Sequence, residues 1–153
     1  MILHYFKYQL FKLKATNQHG VHSPFLYSLV CSCFYNSNFK KKKSLPLNSK
    51  RNKLTLSLIL ENLKSFNETV ETEFKIEKFK IIYDTNKPLS QQIEDIRLIN
   101  APHLTLIDEL HFQREEWNLF ILNSKHIIMD LYFYGIIIQR PQQSKEFFSL
   151  RVF

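Results

Sequence analysis

The sequence predicts an α/β fold in which N-terminal helices lead into a short mixed sheet with covering helices and a C-terminal antiparallel hairpin. Three observations carry this. FKIIYD (79–84) and HLTLID (103–108) are short, β-rich apolar runs, and the helical pattern SQQIEDIRLI (90–99) lies between them. HIIMDLY and GIIIQR are two further apolar runs joined by a turn between Tyr132 and Gly135. Ser23 followed by Pro24 is a helix start, with a side-chain oxygen at the N-cap and a proline where a missing N–H costs nothing.

Residues 2–14 place Leu3, Phe6, Leu10 and Leu13 at helical spacing with Lys and Tyr around them. This predicts a loosely amphipathic helix, with Lys and Tyr on its other sides, that packs on the body of the domain. In the helix that starts at Pro24, Phe25, Leu29 and Cys33 recur along one side. FKKKKSLPLNSKRNK (39–53) is a charge run broken by Pro46 and reads as an exposed basic loop. LTLSLILENLKSF (54–66) predicts a helix, with a strand as the alternative because its apolar residues are so dense. NETVETEFKIEK fits neither pattern.

Strand, helix and strand joined tightly over 79–108 predict a right-handed parallel crossover, with Ile93, Ile96 and Ile99 facing inward. FQREEWNLFIL (112–122) predicts a helix. HIIMDLY and GIIIQR then read as a hairpin at the sheet edge, and EFFSLRVF as a terminal strand. The expected organisation is a single domain over 1–153, with N-terminal helices over 1–38, the basic loop over 39–53 and a partial α/β domain over 54–153.

The chain has 153 residues, 44% of them apolar, and its 14 Phe and 7 Tyr supply enough bulk for a core, which argues against a disordered or fibrous protein. MILHYFKYQLFKLK is interrupted by Lys7, Lys12 and Lys14, so it lacks the uninterrupted apolar stretch of a signal peptide, and no apolar run is long enough for a membrane span. Cys31 and Cys33 are too few and too close for a disulfide framework, so the expected location is the cytoplasm. Residues 1–53 hold ten Lys or Arg and no acid, whereas 54–153 hold eleven basic and fourteen acidic residues, a division of +10 against −3. Such asymmetry suits nucleic acid, anionic lipid or an acidic partner, or simply a solvated surface.

HGVHSPFLYSLV (19–30), IIYD, LIDELHF and the closing IIMDLYFYGIIIQRPQQSKEFFSLRVF together resemble a bacterial branch of the class I S-adenosylmethionine-dependent methyltransferases. In that branch an HGxHSPF-type segment precedes a Rossmann-like domain that closes with a hairpin and a Lys-rich turn into a final strand. The resemblance covers most of 1–66 and 79–153. It implies a truncated Rossmann-like methyltransferase fold in which FKIIYD and HLTLID stand for the fourth and fifth strands.

The family holds its methyl donor on a first strand and the glycine-rich turn after it, of the type E-x-G-x-x-x-G. Glycine is required there because the backbone turns tightly and approaches the ligand without a Cβ. This chain has two glycines, Gly20 ahead of the Ser-Pro cap and Gly135 in the hairpin, and neither can follow a first Rossmann strand. By resemblance, the sequence passes from the helix 54–66 to the fourth strand. Three strands with their crossovers, at ~30 residues or more per unit, are a gap on the order of 70–80 residues. The expected cofactor content is therefore none, although the resemblance implies S-adenosylmethionine.

Asp84 and Asp108 end two parallel strands, and His111 follows three residues after the second. These three are the candidate substrate-side residues. Metal-dependent relatives of the wider fold use acids at the two strand ends to hold a divalent cation that orients a catechol-like substrate. The alternative for each Asp is a cap on its own turn. DTNKP stands where the family tends to have Gly and His after the first acid. His19, His22, Cys31 and Cys33 suggest zinc at first sight, yet Cys-x-Cys on a helix aims its sulfurs to different sides, so no metal site is expected. Asp130, flanked by apolar residues in a strand, and Trp117, on a helix face, read as structural residues.

These readings converge on a degenerate, non-catalytic methyltransferase-like protein acting as a binding or interaction module. The alternatives are a residual or partner-completed methyltransferase, and an RNA- or anion-binding protein using the basic N-terminal third. With the first Rossmann strand missing, the strand containing Phe79, Ile81 and Ile82 has an open edge, which suits a second copy or a protein partner. No nucleic-acid motif and no membrane segment support either of those as partner.

Overall fold

A computed structural model describes residues 2–43, 48–82, 87–94, 102–140 and 144–153. Asp84, Ile96 and Ile99 lie outside the described residues. The protein is mixed α/β and divides into two compact units, residues 1–75 together with the tail Leu150–Phe153, and residues 76–149.

The first unit is helical. It consists of α1 (Ile2–Lys14), α2 (Pro24–Phe34), α3 (Ser37–Lys42) and α4 (Ser49–Thr69). The starts of the last three share one chemistry, a short polar side chain capping the first turn: Ser23 for α2, Asn36 for α3 and Asn48 for α4 each accept a backbone N–H three residues on. Phe25, Leu29 and Cys33 are buried along one side of α2, as their spacing predicts. Phe25 lies 5.9 Å from Phe66 and 5.6 Å from Phe74, while Phe34 meets Phe39 edge-on at 5.7 Å. These aromatic pairs bind the three helices through both burial and ring geometry. Asn62 of α4 donates to the Cys33 carbonyl at 2.8 Å, satisfying one of the acceptors that the end of α2 leaves over.

The tail Leu150–Phe153 belongs to this unit and holds α1. Thr16 and Leu150 form a parallel bridge, Arg151 N–H donates to the Thr16 carbonyl at 2.7 Å, and the buried Tyr8 hydroxyl donates to the Phe153 carbonyl at 2.5 Å. Tyr8 is therefore the inward face of α1. This corrects the expected packing, because Leu3, Phe6, Leu10 and Leu13 are all exposed.

The second unit is built on a five-stranded sheet: β1 (Lys78–Ile82), β2 (His103–Ile107), β3 (Ile127–Asp130), β4 (Gly135–Gln139) and β5 (Glu146–Ser149) in the order β1-β2-β4-β3-β5. β1 and β2 are parallel, as the strand–helix–strand pattern predicts, and β3 and β4 form the antiparallel hairpin. β4 alone runs against the other four strands. The short α5 (Leu89–Glu94) and α6 (Arg114–Asn123) supply Leu89, Ile93 and Trp117 to a core with Ile107, Leu110, Ile128 and Ile137.

Two further expectations are corrected. The hairpin is interior to the sheet, because β4 pairs with β2 and β3 pairs with β5. Its strands are buried almost end to end, which suits continuous apolar runs rather than an alternating edge strand. The basic segment 39–53 is largely helical where described: α3 contains Lys40, Lys41 and Lys42, and α4 begins at Ser49. Asn36 and Asn48 cap those helices, and lysine has good helix propensity, so the charge run did not require a loop. The segment after α4 forms a short 3₁₀ turn, Thr72–Phe74, before β1.

Candidate functional site at the end of strand β2

Because β1, β2, β3 and β5 run in one direction, Asp108 and Asp130 both lie at the C-terminal edge of the sheet. Asp108 follows the last residue of β2 and is buried. One of its carboxylate oxygens accepts the Glu109 N–H at 2.7 Å. Glu109 adopts the left-handed conformation, φ 53° and ψ 29°, which turns the chain sharply into the 3₁₀ turn Leu110–Phe112. Leu110 N–H donates to the Phe133 carbonyl at 2.9 Å, tying this turn to the β3–β4 connection.

His111 sits in that turn among aromatic rings. Its imidazole is 5.0 Å from the Phe133 ring in an edge-on arrangement, and 6.5 Å from the Tyr132 ring, nearly parallel to it. The turn thus brings His111 and Asp108 to the same edge, as three-residue spacing allows. Asp84, the third candidate, lies outside the described residues.

Two groups beside Asp108 hold their protons above their ordinary range. Burial, and then the neighbouring Asp108, raise the Glu109 carboxyl above its usual range. The buried Tyr134 phenol is pushed above its ordinary value by desolvation first, then by Asp108 and Glu109. An acid pair beside a buried phenol can retain a proton or attract a cation. Among the described residues, however, no three His, Cys, Asp or Glu side chains come together as a metal-binding group. A groove of about 320 Å³ between α5 and α6, lined in part by Ser90, Ile93, Glu116 and Phe120, includes neither Asp108 nor His111.

A second constellation at the same edge was only half legible in the sequence. Asp130, 1% exposed, accepts two hydrogen bonds of 2.8 Å from Arg114, one of 3.1 Å from Trp117 Nε1 and one of 2.8 Å from Tyr132 N–H. The Arg114 guanidinium also lies over the Tyr132 ring, 5.3 Å from its centre. All of these contacts are internal, so Asp130 fastens α6 to β3. Asp130 and Trp117 are structural, as read from the sequence, but nothing there paired them with Arg114.

Neither glycine sits in a strand-to-helix turn. Gly20 ends a 3₁₀ turn capped by Asn17. Gly135 opens β4, where an added Cβ would stand 2.9 Å from the Trp117 ring. Neither cysteine is in a disulfide: Cys33 is fully buried and its thiol is pushed up to about 12 by desolvation, while Cys31 is partly accessible. No family model, no curated protein and no solved structure matches this chain.

Proposed function

We propose that this chain is a methyltransferase-like protein that does not catalyse methyl transfer and works as an interaction module, adding a strand of another chain to the edge of β1. The observation that carries this reading is the position of β1. It ends the sheet, and no described strand pairs with its other side. Strand edges of this kind offer a row of backbone donors and acceptors to an extended partner. Within β1, Ile81 is exposed and Phe79 half-buried, so an added strand would also gain apolar contact.

The non-catalytic part of the reading is supported by how the available groups are used. Both glycines occupy positions unlike a cofactor turn, and Asp108 bonds within its own turn. The same resemblance that suggests a methyltransferase also leaves its donor site without sequence to build it.

Light scattering on the purified chain tests the edge. A mass above that of one chain, returning to one chain in Ile81→Lys, is the expected result. A monomer at high concentration that ignores the substitution overturns the interaction role. Thermal melts with S-adenosylmethionine test the other half. A ligand at 100 times its dissociation constant stabilises a fold by ~2.7 kcal/mol, so a saturable upward shift with micromolar donor overturns the non-catalytic reading.

A further inference from the structure

α1 is amphipathic in an inverted sense. At ~100° per residue, Leu3, Phe6, Leu10 and Leu13 fall within an arc of ~80°, on the side opposite the buried Tyr8. Their exposures are 61%, 62%, 50% and 82%. An apolar stripe of this extent, turned straight outward, is unusual unless something covers it.

Charge indicates what the cover is. On the same wheel, Lys7 and Lys14 border the stripe on one side, whereas Lys12 lies towards the inward side, its ammonium 5.5 Å from the centre of the Tyr8 ring. Lys12 continues into the lysines of α3 and the residue after it. Burial first, and then the charges of Lys40 and Lys12, lower the Lys43 ammonium below its usual value, which places the three in one electrostatic neighbourhood. Residues 1–53 carry no acid to offset them.

We propose that α1 is a membrane-surface helix that seats the helical unit on an anionic bilayer, with Leu3, Phe6, Leu10 and Leu13 in the acyl boundary and the flanking lysines at the phosphates. The geometry is that of an interfacial helix: an exposed apolar ridge bordered by Lys7 and Lys14, whose long side chains reach back to the headgroups. A nucleic acid offers nothing to the apolar ridge. A second copy of this face would set lysines against lysines, with no carboxylate in 1–53 to receive them. The chain rests on the surface without crossing it, since no described helix is long and apolar enough to span a membrane.

Sedimentation with vesicles of equal parts phosphatidylcholine and phosphatidylserine tests the proposal, with pure phosphatidylcholine vesicles as the control. Binding to the anionic vesicles, weak or absent on the control and released by salt, is expected. Leu13→Glu and Phe6→Ser, on exposed side chains, should lower the partition at least tenfold while leaving the melt unchanged. Each of Lys7→Gln and Lys14→Gln should lower it about fivefold. A Leu13→Trp variant should shift its emission to shorter wavelength on anionic vesicles, which surface adhesion without insertion does not produce. No sedimentation by the folded chain at low salt overturns the proposal. So does binding that Leu13→Glu leaves intact, or a self-association of the chain that Leu13→Glu abolishes.

Discussion

Arg114 and Asp130 meet through two parallel hydrogen bonds of 2.8 Å, and the carboxylate they share is also the acceptor for Trp117 Nε1 at 3.1 Å. A fork-to-fork pair of this kind fixes angle as well as distance, so it sets how α6 lies on β3. Asp130→Ala leaves the Trp117 and Tyr132 N–H groups buried without an acceptor. We expect a loss of about 3–5 kcal/mol. Trp117 is the only tryptophan, so its fluorescence in a urea titration reads this unit directly. A loss below about 1 kcal/mol would show that water replaces the carboxylate.

Gly135 is required by close approach rather than by backbone conformation. Its φ is not positive, but a Cβ there would press on the Trp117 ring at 2.9 Å and on Leu110 at 3.2 Å. Gly135→Ala should cost about 1–3 kcal/mol by overpacking. Trp117→Phe, by vacating part of the space, should recover some of that loss in the double variant. Strict additivity of the two substitutions would place the cause elsewhere.

Glu109 gives the fold a pH dependence of definite sign. Burial and Asp108 raise its folded-state value above the usual 4.5, so the folded state holds this proton longer than the unfolded state does. Below the unfolded value both states are protonated and the group is neutral in its effect. As pH rises from there through the raised folded value, stability is lost. Glu109→Gln removes the term, so stability relative to wild type should rise across that window and then level off. Denaturation midpoints measured in steps across the window check this, and parallel curves for the two proteins would exclude it.

The two thiols should react unequally. Cys33 is fully buried with its thiol held mostly protonated, whereas Cys31 is partly exposed on the same helix. A thiol reagent at mildly alkaline pH should modify one cysteine in the native chain and both in denaturant. Rapid modification of Cys33 in the native protein would mean that α2 opens readily.

Local signals were legible wherever neighbouring residues sufficed to decide the outcome. Ser23 and Pro24 start α2 because a cap needs one side chain and one backbone N–H three residues away. The parallel pairing of β1 with β2, and the hairpin of β3 with β4, followed from short apolar runs with the right separations. Of the candidate site, its place at the end of β2 was legible. Asp108 and His111 were found from their place after a strand, while the aromatic shell of His111 was not, because Phe133 joins it from another element.

The sequence by itself determined the start of α2, the parallel pairing of β1 with β2, the hairpin and the lack of glycine for a cofactor turn. Tertiary structure alone decided which side of α1 faces inward, where the hairpin sits and what Asp130 holds. α1 has apolar residues on both sides, and the choice fell to Tyr8 through a hydrogen bond to Phe153, 145 residues away, which no local pattern encodes. The hairpin became interior because β5 came back to pair with β3, and strand order is fixed by such returns rather than by the strands' own residues. Asp130 needed Arg114 and Trp117 from another element to become satisfied. A buried charge names its need for partners in the sequence, and only the folded chain supplies them.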